Sequence, residues 1–159
     1  QEINDFIKEV PSFIGSYQNL IVDNISSFEK DWFVEQARSS KSGIRNELQD
    51  YSGYTNYFAR LISAIYRLPV NILVTAWEAQ NKITDPKGQE FMQYGPDIRP
   101  NPRDYLLGNC DVVARMIQNP QSGGRGLFMQ GSIDTYAKNR LDNRKNCKAE
   151  DLFKVGESQ

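Results

Sequence analysis

The sequence predicts an α/β fold: a mostly parallel sheet flanked by helices, with antiparallel strands at its carboxyl-terminal edge. Two apolar runs carry that expectation, Leu20-Ile21-Val22-Asp23-Asn24 and Val70-Asn71-Ile72-Leu73-Val74-Thr75-Ala76-Trp77-Glu78. Each is short, unalternating and closed by polar groups, as a buried parallel strand is where it delivers side chains to the carboxyl edge of a sheet. Between them stands the clearest helix of the chain, with Tyr54, Tyr57, Phe58, Leu61, Ile62, Ile65 and Leu68 on one face. Strand, helix, helix and strand in this order make a right-handed crossover between parallel partners.

A chain of 159 residues is long enough for one domain with its own core, and residues 1–159 are read as a single domain. The net charge of −1 excludes a generally basic nucleic-acid coat and leaves room for a local basic patch. Eight Tyr, eight Phe and two Trp exclude disorder by composition. There is no histidine, which removes Ser-His-Asp and Cys-His catalysis and the commonest zinc ligand. Cys110 and Cys147 lie far apart and read as two reduced, unrelated thiols that suit a reducing cytosol. No run resembles a signal peptide or a membrane span, so a cytoplasmic protein with no membrane partner is expected.

The elements follow in order. Ile3, Phe6, Ile7 and Val10 give Glu2 to Val10 a helical spacing, with Pro11 as its stop. Asn19 to Asp23 is the opening strand. Phe28, Trp32 and Phe33 mark a helix over Ser26–Ala37, capped near Ser26 or Ser27. Arg38 to Asp50 is polar and reads as a loop. The long helix runs from Tyr54 to Arg67 and ends at Pro69. Ala79 to Gly108, with Pro86, Pro96, Pro100 and Pro102, shows no regular period and reads as a long loop, functional or disordered. Asp111 to Met116 reads as a third buried strand, Asn119 to Gly124 as a turn, and Gly126 to Gly131 as the returning strand of a hairpin. Ile133 to Arg140 reads as an edge strand. Leu152-Phe153 is the apolar pair of a short docking helix in an otherwise polar tail.

Three features carry candidate chemistry. Asp23 closes the first strand, where it would either cap the next helix or hold Mg²⁺ beside a phosphate. Thr75 and Glu78 close the neighbouring strand. Adjacent strands lie about 4.8 Å apart, which would bring both within reach of Asp23. Glu78 alone reads equally as a solvated strand end, and Trp77 as a rim aromatic or a base-stacking one. Lys138 and Arg140 alternate along an extended segment and share a face suited to polyphosphate, or else a solvated basic run with Arg144, Lys145 and Lys148.

With these residues in place, the chain resembles the RecA-like P-loop ATPases, and among them the small phage-encoded nucleotide-binding proteins of single-strand annealing and recombination. In that family a strand of the form LIVDS carries the Walker B acid, matched here by Leu20 to Asn24. A long helix leads into a strand of the form NVIxTAxE, matched by Asn71 to Glu78, with Trp77 where the family often has histidine. A late KNR or KxR segment is matched by Lys138-Asn139-Arg140.

The resemblance implies ATP and Mg²⁺ as cofactors, with Asp23 the metal ligand and Thr75 and Glu78 beside the γ-phosphate. Lys138 and Arg140 would reach nucleotide across a subunit interface in a homo-oligomeric ring or filament. It implies that Lys82, Lys87, Phe91, Tyr94 and Arg99 face single-stranded DNA, with a single-strand DNA-binding protein as a further partner. Such a protein would work in the cytoplasm of a bacterial host. The family's phosphate loop, GxxxxGK[ST], occurs nowhere in the 159 residues, and its expected place is before Glu2. The chain is therefore read as the carboxyl portion of a RecA-like core, inactive as an ATPase by itself. The alternative is a non-catalytic DNA-binding or assembly module that keeps the fold.

Overall fold

The structure, a computed structural model, describes residues 2–154 and is α/β. The chain falls into two compact units, Gln1–Trp77 with Ile98–Leu106, and Glu78–Asp97 with Leu107–Gln159. Among the described residues no helix is long and apolar enough to cross a membrane.

The first unit contains α1 (Glu2–Phe13), a 3-10 turn at Ile14–Ser16, β1 (Asn19–Val22), α2 (Ile25–Ser39), α3 (Leu48–Tyr66) and β2 (Asn71–Val74). The expected parallel pair is present, in register from Asn19 opposite Asn71 to Val22 opposite Val74, with α2 and α3 between its strands in sequence. It is not buried on both faces as expected. Among the described residues the sheet has two strands, and Ile21 remains 61% exposed.

The core of this unit is helical. Tyr54, Phe58, Leu61, Ile62 and Ile65 of α3 are buried, as their spacing predicts. Phe28, Trp32 and Phe33 of α2 meet them in an aromatic cluster, with Trp32 and Phe33 each 5.1 Å from the Tyr54 ring centroid and Phe58 at 5.6 Å. Tilted ring pairs at such distances add specific attraction to the burial of area. Burial also pushes the Tyr54 phenol far up, and the Glu29 carboxylate adds to the shift.

Several expected boundaries move, each for a local reason. Pro11 does not stop α1, which runs to Phe13 before tightening into the 3-10 turn. A proline close to a helix end removes only one late hydrogen bond. The loop expected over Arg38–Asp50 shrinks to residues 40–47, because α3 begins at Leu48, where the Asp50 carboxylate accepts from the Glu47 backbone N–H at 2.7 Å. That contact caps the first turn through polar groups, ahead of the buried apolar face that begins at Tyr54.

The second unit corrects the expectation of a mostly parallel sheet. Among the described residues, its four strand pairings are all antiparallel. β3 (Glu78–Thr84) and β4 (Glu90–Pro96) form a hairpin where a structureless loop was expected. Residues alternate between half-buried and exposed along β3, but Asn81 occupies one of the inner positions and masks the alternation in hydropathy. The turn is Asp85-Pro86-Lys87-Gly88. The Asp85 side chain accepts from the N–H of Lys87 and of Gln89, both at 2.8 Å, and Gly88 takes φ +82°.

The rest of that expected loop is α4 (Pro100–Asn109), which spans the boundary of the two units. Its prolines sit in the first turn, where a missing N–H costs nothing.

The expected third strand breaks at Ala114 into β5 (Val112–Val113) and β6 (Arg115–Gln118). β6 returns through the expected turn as β7 (Arg125–Phe128), and β9 (Asn146–Lys148) completes a three-stranded sheet in the order β6-β7-β9. The expected edge strand over Ile133–Arg140 is reduced to β8 (Lys138–Asn139), paired with β5, and an isolated bridge from Thr135 to Tyr94. A 3-10 turn at Ala149–Asp151 stands just before Leu152-Phe153.

Candidate functional site

The carboxyl end of the β1–β2 pair gathers polar groups. Asp23 follows β1 directly, and its Oδ1 accepts a hydrogen bond from the Thr75 hydroxyl at 2.5 Å. The backbone continues the pairing past the strands: Thr75 N–H donates to Val22 O at 3.0 Å, and Ile25 N–H donates to Thr75 O at 2.9 Å. The Trp77 N–H donates to the hydroxyl of fully buried Ser26 at 3.0 Å, which ties the chain leaving β2 to the first turn of α2. These bonds hold Thr75 against Asp23 from both sides.

Asp23 does not cap α2. Asn24 does, its side-chain oxygen accepting from the Ser27 N–H at 2.7 Å. The adjacent carboxylate is thereby left exposed, beside the positive end of a 15-residue helix. Lys30, one turn into α2, places its ammonium 4.3 Å from the centroid of the half-exposed Trp77 ring.

A carboxylate with a neighbouring hydroxyl is a hard-oxygen donor set, which suits Mg²⁺. Among the described residues no three His, Cys, Asp or Glu side chains cluster closely enough to hold a metal by themselves. Mg²⁺ is usually bound through one or two carboxylates and completes its shell with water and phosphate oxygens.

Glu78 has partners of its own. The expected strand ends at Val74, and Glu78 opens β3 in the second unit. Its carboxylate is held in a two-pronged contact by Arg115, Nε to Oε2 at 2.5 Å and Nη2 to Oε1 at 3.2 Å. The same guanidinium lies 3.7 Å from the centroid of Tyr94 and reaches the Thr135 hydroxyl at 3.4 Å. Hydrogen bonding to Glu78 raises the Arg115 pKa further, so the guanidinium is charged at any working pH. Arg115 escaped the sequence reading, although a lone arginine inside Val112-Val113-Ala114-Arg115-Met116 was the signal for it.

Lys138 and Arg140 do converge as their alternation predicts, on residues 108–111. Lys138 Nζ donates to Gly108 O at 3.3 Å, and Arg140 Nη2 donates to Asn109 O at 3.3 Å and to the Asp111 carboxylate at 2.9 Å. Cys110 lies between these contacts, and burial pushes its thiol up despite the two cations.

Of the residues expected to face DNA, Lys82 is paired with Glu90 across the hairpin at 2.7 Å. Lys87 is exposed in the turn, Phe91 is half-buried on β4, and Tyr94 lies under Arg115. Arg99 belongs to the first unit. Its guanidinium covers the rings of Phe33 and Tyr51 at 4.7 and 4.4 Å, while the Arg99 backbone N–H donates to both oxygens of buried Glu29 at 3.2 Å. A cleft of about 860 Å³ opens beside it, lined by Glu47, Tyr51, Thr55, Arg99 and Pro100, and away from Asp23.

Compared with known proteins, residues 1–141 match a family model described as an AAA domain. No curated protein and no solved structure matches the chain.

Proposed function

The chain belongs to the AAA domain family, of P-loop NTPase type, and from that premise we propose that it forms the Mg²⁺-facing part of a nucleotide-binding ATPase core. One observation carries the proposal: Asp23 stands at the carboxyl end of a parallel strand with Thr75 hydrogen-bonded to it. In open α/β sheets ligands bind at that edge. Asp23 would hold Mg²⁺ through water, and the Thr75 hydroxyl would fix the rotamer of its carboxylate. Bound there, Mg²⁺ would supply charge neutralisation to a transferring phosphoryl group.

The finer reading is a RecA-like, phage-type ATPase acting on single-stranded DNA in recombination or annealing, as a homo-oligomer with nucleotide at subunit interfaces. Glu78 would couple the nucleotide to the β3–β4 hairpin, which carries Lys82, Lys87, Phe91 and Tyr94, with Arg99 further along the chain. Lys138 and Arg140 would act on the nucleotide of an adjacent subunit. To do so they would exchange their present acceptors on residues 108–111 for phosphate oxygens, which are stronger partners for a cation.

The test is Mg²⁺-dependent ATP turnover by the full-length protein and its Asp23→Asn variant. A lost metal contact worth several kcal/mol lowers the rate on the order of 100-fold or more. Unchanged turnover in the variant would overturn the assignment of Asp23.

A second reading has an observation of its own. Lys138 and Arg140 are already engaged within the chain, as in a module that keeps the fold for DNA binding or assembly without hydrolysis. Lys138→Ala separates the two. The ATPase reading expects lost turnover with DNA binding kept. The module reading expects weaker, less salt-dependent DNA binding and no turnover to lose.

A further inference from the structure

We infer that Ser26 is a positioning residue of the Asp23 site. Its buried hydroxyl holds the segment Thr75–Trp77 on the first turn of α2, so that Thr75 keeps the Asp23 carboxylate in one orientation toward Mg²⁺. This role rests on the reading of Asp23 proposed above, whereas the hold itself does not.

The segment needs such a hold. β2 ends at Val74 and β3 starts at Glu78, so residues 75–77 belong to neither strand, and at Trp77 the chain leaves the first unit. The Thr75 backbone is tied at both ends, its N–H to Val22 O and its carbonyl to the Ile25 N–H. Its hydroxyl donates to Asp23 Oδ1. Ala76 is exposed, and the next anchor is the Trp77 N–H, 3.0 Å from Ser26 Oγ.

Helix geometry explains why a side chain supplies this anchor. Inside α2 each carbonyl accepts from the N–H four residues on, which commits the Ser26 carbonyl to Lys30. An amide arriving from outside the helix is therefore met by a side chain, and a serine hydroxyl is a short one. Ser26 is fully buried, where an unpaired hydroxyl is costly, and the Trp77 N–H pairs it. The same turn also holds the ring. Lys30 is four residues beyond Ser26, hence on the same face of the helix, and its ammonium lies 4.3 Å from the Trp77 centroid. Trp77 is thus held by its backbone at one residue and by its ring at the other. Asp23 and Asn24 lead directly into this turn, and Asn24 closes it through the Ser27 N–H. Carboxylate and hydroxyl are both referred to one rigid piece of helix. Without the Ser26 hydroxyl, the Trp77 N–H loses its acceptor and the segment swings. The Thr75 hydroxyl then spends part of its time off Asp23, and the carboxylate samples rotamers that do not face the metal.

The test uses the full-length protein with its Ser26→Ala, Ser26→Thr and Asp23→Asn variants, each checked for fold by circular dichroism. Two quantities are measured: hydrogen exchange of the Ile25 and Trp77 amides without ligand, and the Mg²⁺ concentration that gives half-maximal ATP turnover. Ser26→Ala should speed exchange at both amides and raise the Mg²⁺ midpoint about 2- to 10-fold, the range of one lost neutral hydrogen bond. Ser26→Thr keeps the hydroxyl and should keep both values near those of the unaltered protein. Faster exchange at Trp77 with Ile25 unchanged would mean that the hold does not reach Thr75, and would overturn the role. A merely structural serine lowers the amount of active protein and leaves the midpoint in place. An unmoved midpoint in Ser26→Ala, with turnover lost in Asp23→Asn, would therefore overturn the role and leave the reading of Asp23 standing. Unchanged turnover in Asp23→Asn, or none in the unaltered protein, would overturn both.

Discussion

Replacing Arg115 by alanine tests how the second unit is held. The guanidinium joins Glu78 of β3, Tyr94 of β4 and Thr135 to β6, so one side chain spans the hairpin and the three-stranded sheet. The side chains of Arg115 and Glu78 are 25% and 45% exposed, so water screens the ion pair and it contributes no more than about 1 kcal/mol. The stacked Tyr94 ring contributes about 0.5–1 kcal/mol. With the packing of the aliphatic stem, the expected cost is about 2 kcal/mol, or roughly 30-fold in the folding equilibrium.

Tryptophan fluorescence would miss this loss, because Trp32 and Trp77 both belong to the first unit. The appropriate assay is native-state hydrogen exchange at Met116, Ile117 and Leu127, whose strands flank the lesion. Arg115→Lys should recover little of it, since an ammonium cannot make the two-pronged contact or lie flat on a ring. Unchanged protection in Arg115→Ala, or full recovery with lysine, would refute the reasoning.

Two further outcomes follow from the same geometry. Asn24→Ala removes the cap of α2 and should lower the stability of the first unit by about 1 kcal/mol in urea unfolding followed by tryptophan fluorescence, whereas Asp23→Ala leaves the cap intact. The carboxyls of Asp134, Asp142 and Asp151 are all held below their ordinary range, by the Ser132 hydroxyl, the Arg144 backbone N–H and the Lys154 ammonium respectively. A lowered folded pKa adds stability that is present above the unfolded value and lost as pH falls through the folded one. Exchange protection of β6 and β7 should therefore decline below about pH 4, and protection that is flat in acid would contradict this.

The parallel pair and its helices were legible because burial and period coincide there. Leu20–Val22 and Ile72–Val74 are apolar runs, and the face of α3 marked by Tyr54, Phe58, Leu61, Ile62 and Ile65 is buried. The β3–β4 hairpin was hidden because it pairs polar residues across its strands, such as Asn81 opposite Gln93. The Asp-Pro-Lys-Gly turn was the available signal, but Pro86 was counted with Pro100 and Pro102, which start a helix, so punctuation of two kinds merged into one loop. At the site, Asp23 and Thr75 follow from strand ends alone. The contact that holds Glu78 depends on Arg115, 37 residues later, and no local pattern encodes it.

The two kinds of pairing also set an order of assembly. The β3–β4 hairpin closes over a turn of a few residues, and such hairpins form in about 1–10 μs. Asp23 and Thr75 are 52 residues apart, as are Asn19 and Asn71, whose side-chain amides join the other end of the same pair at 3.1 Å. Closing that distance costs loop entropy that only the docking of α2 on α3 can offset. The carboxylate and hydroxyl that make up the candidate site should thus meet late in folding, after the aromatic cluster has formed. Pulse-labelled exchange would record this as delayed protection of the Thr75 amide relative to those of β3 and β4, and simultaneous protection would refute it. On a ribosome the site cannot exist until β2 has emerged, by which time α2 and α3 are already outside.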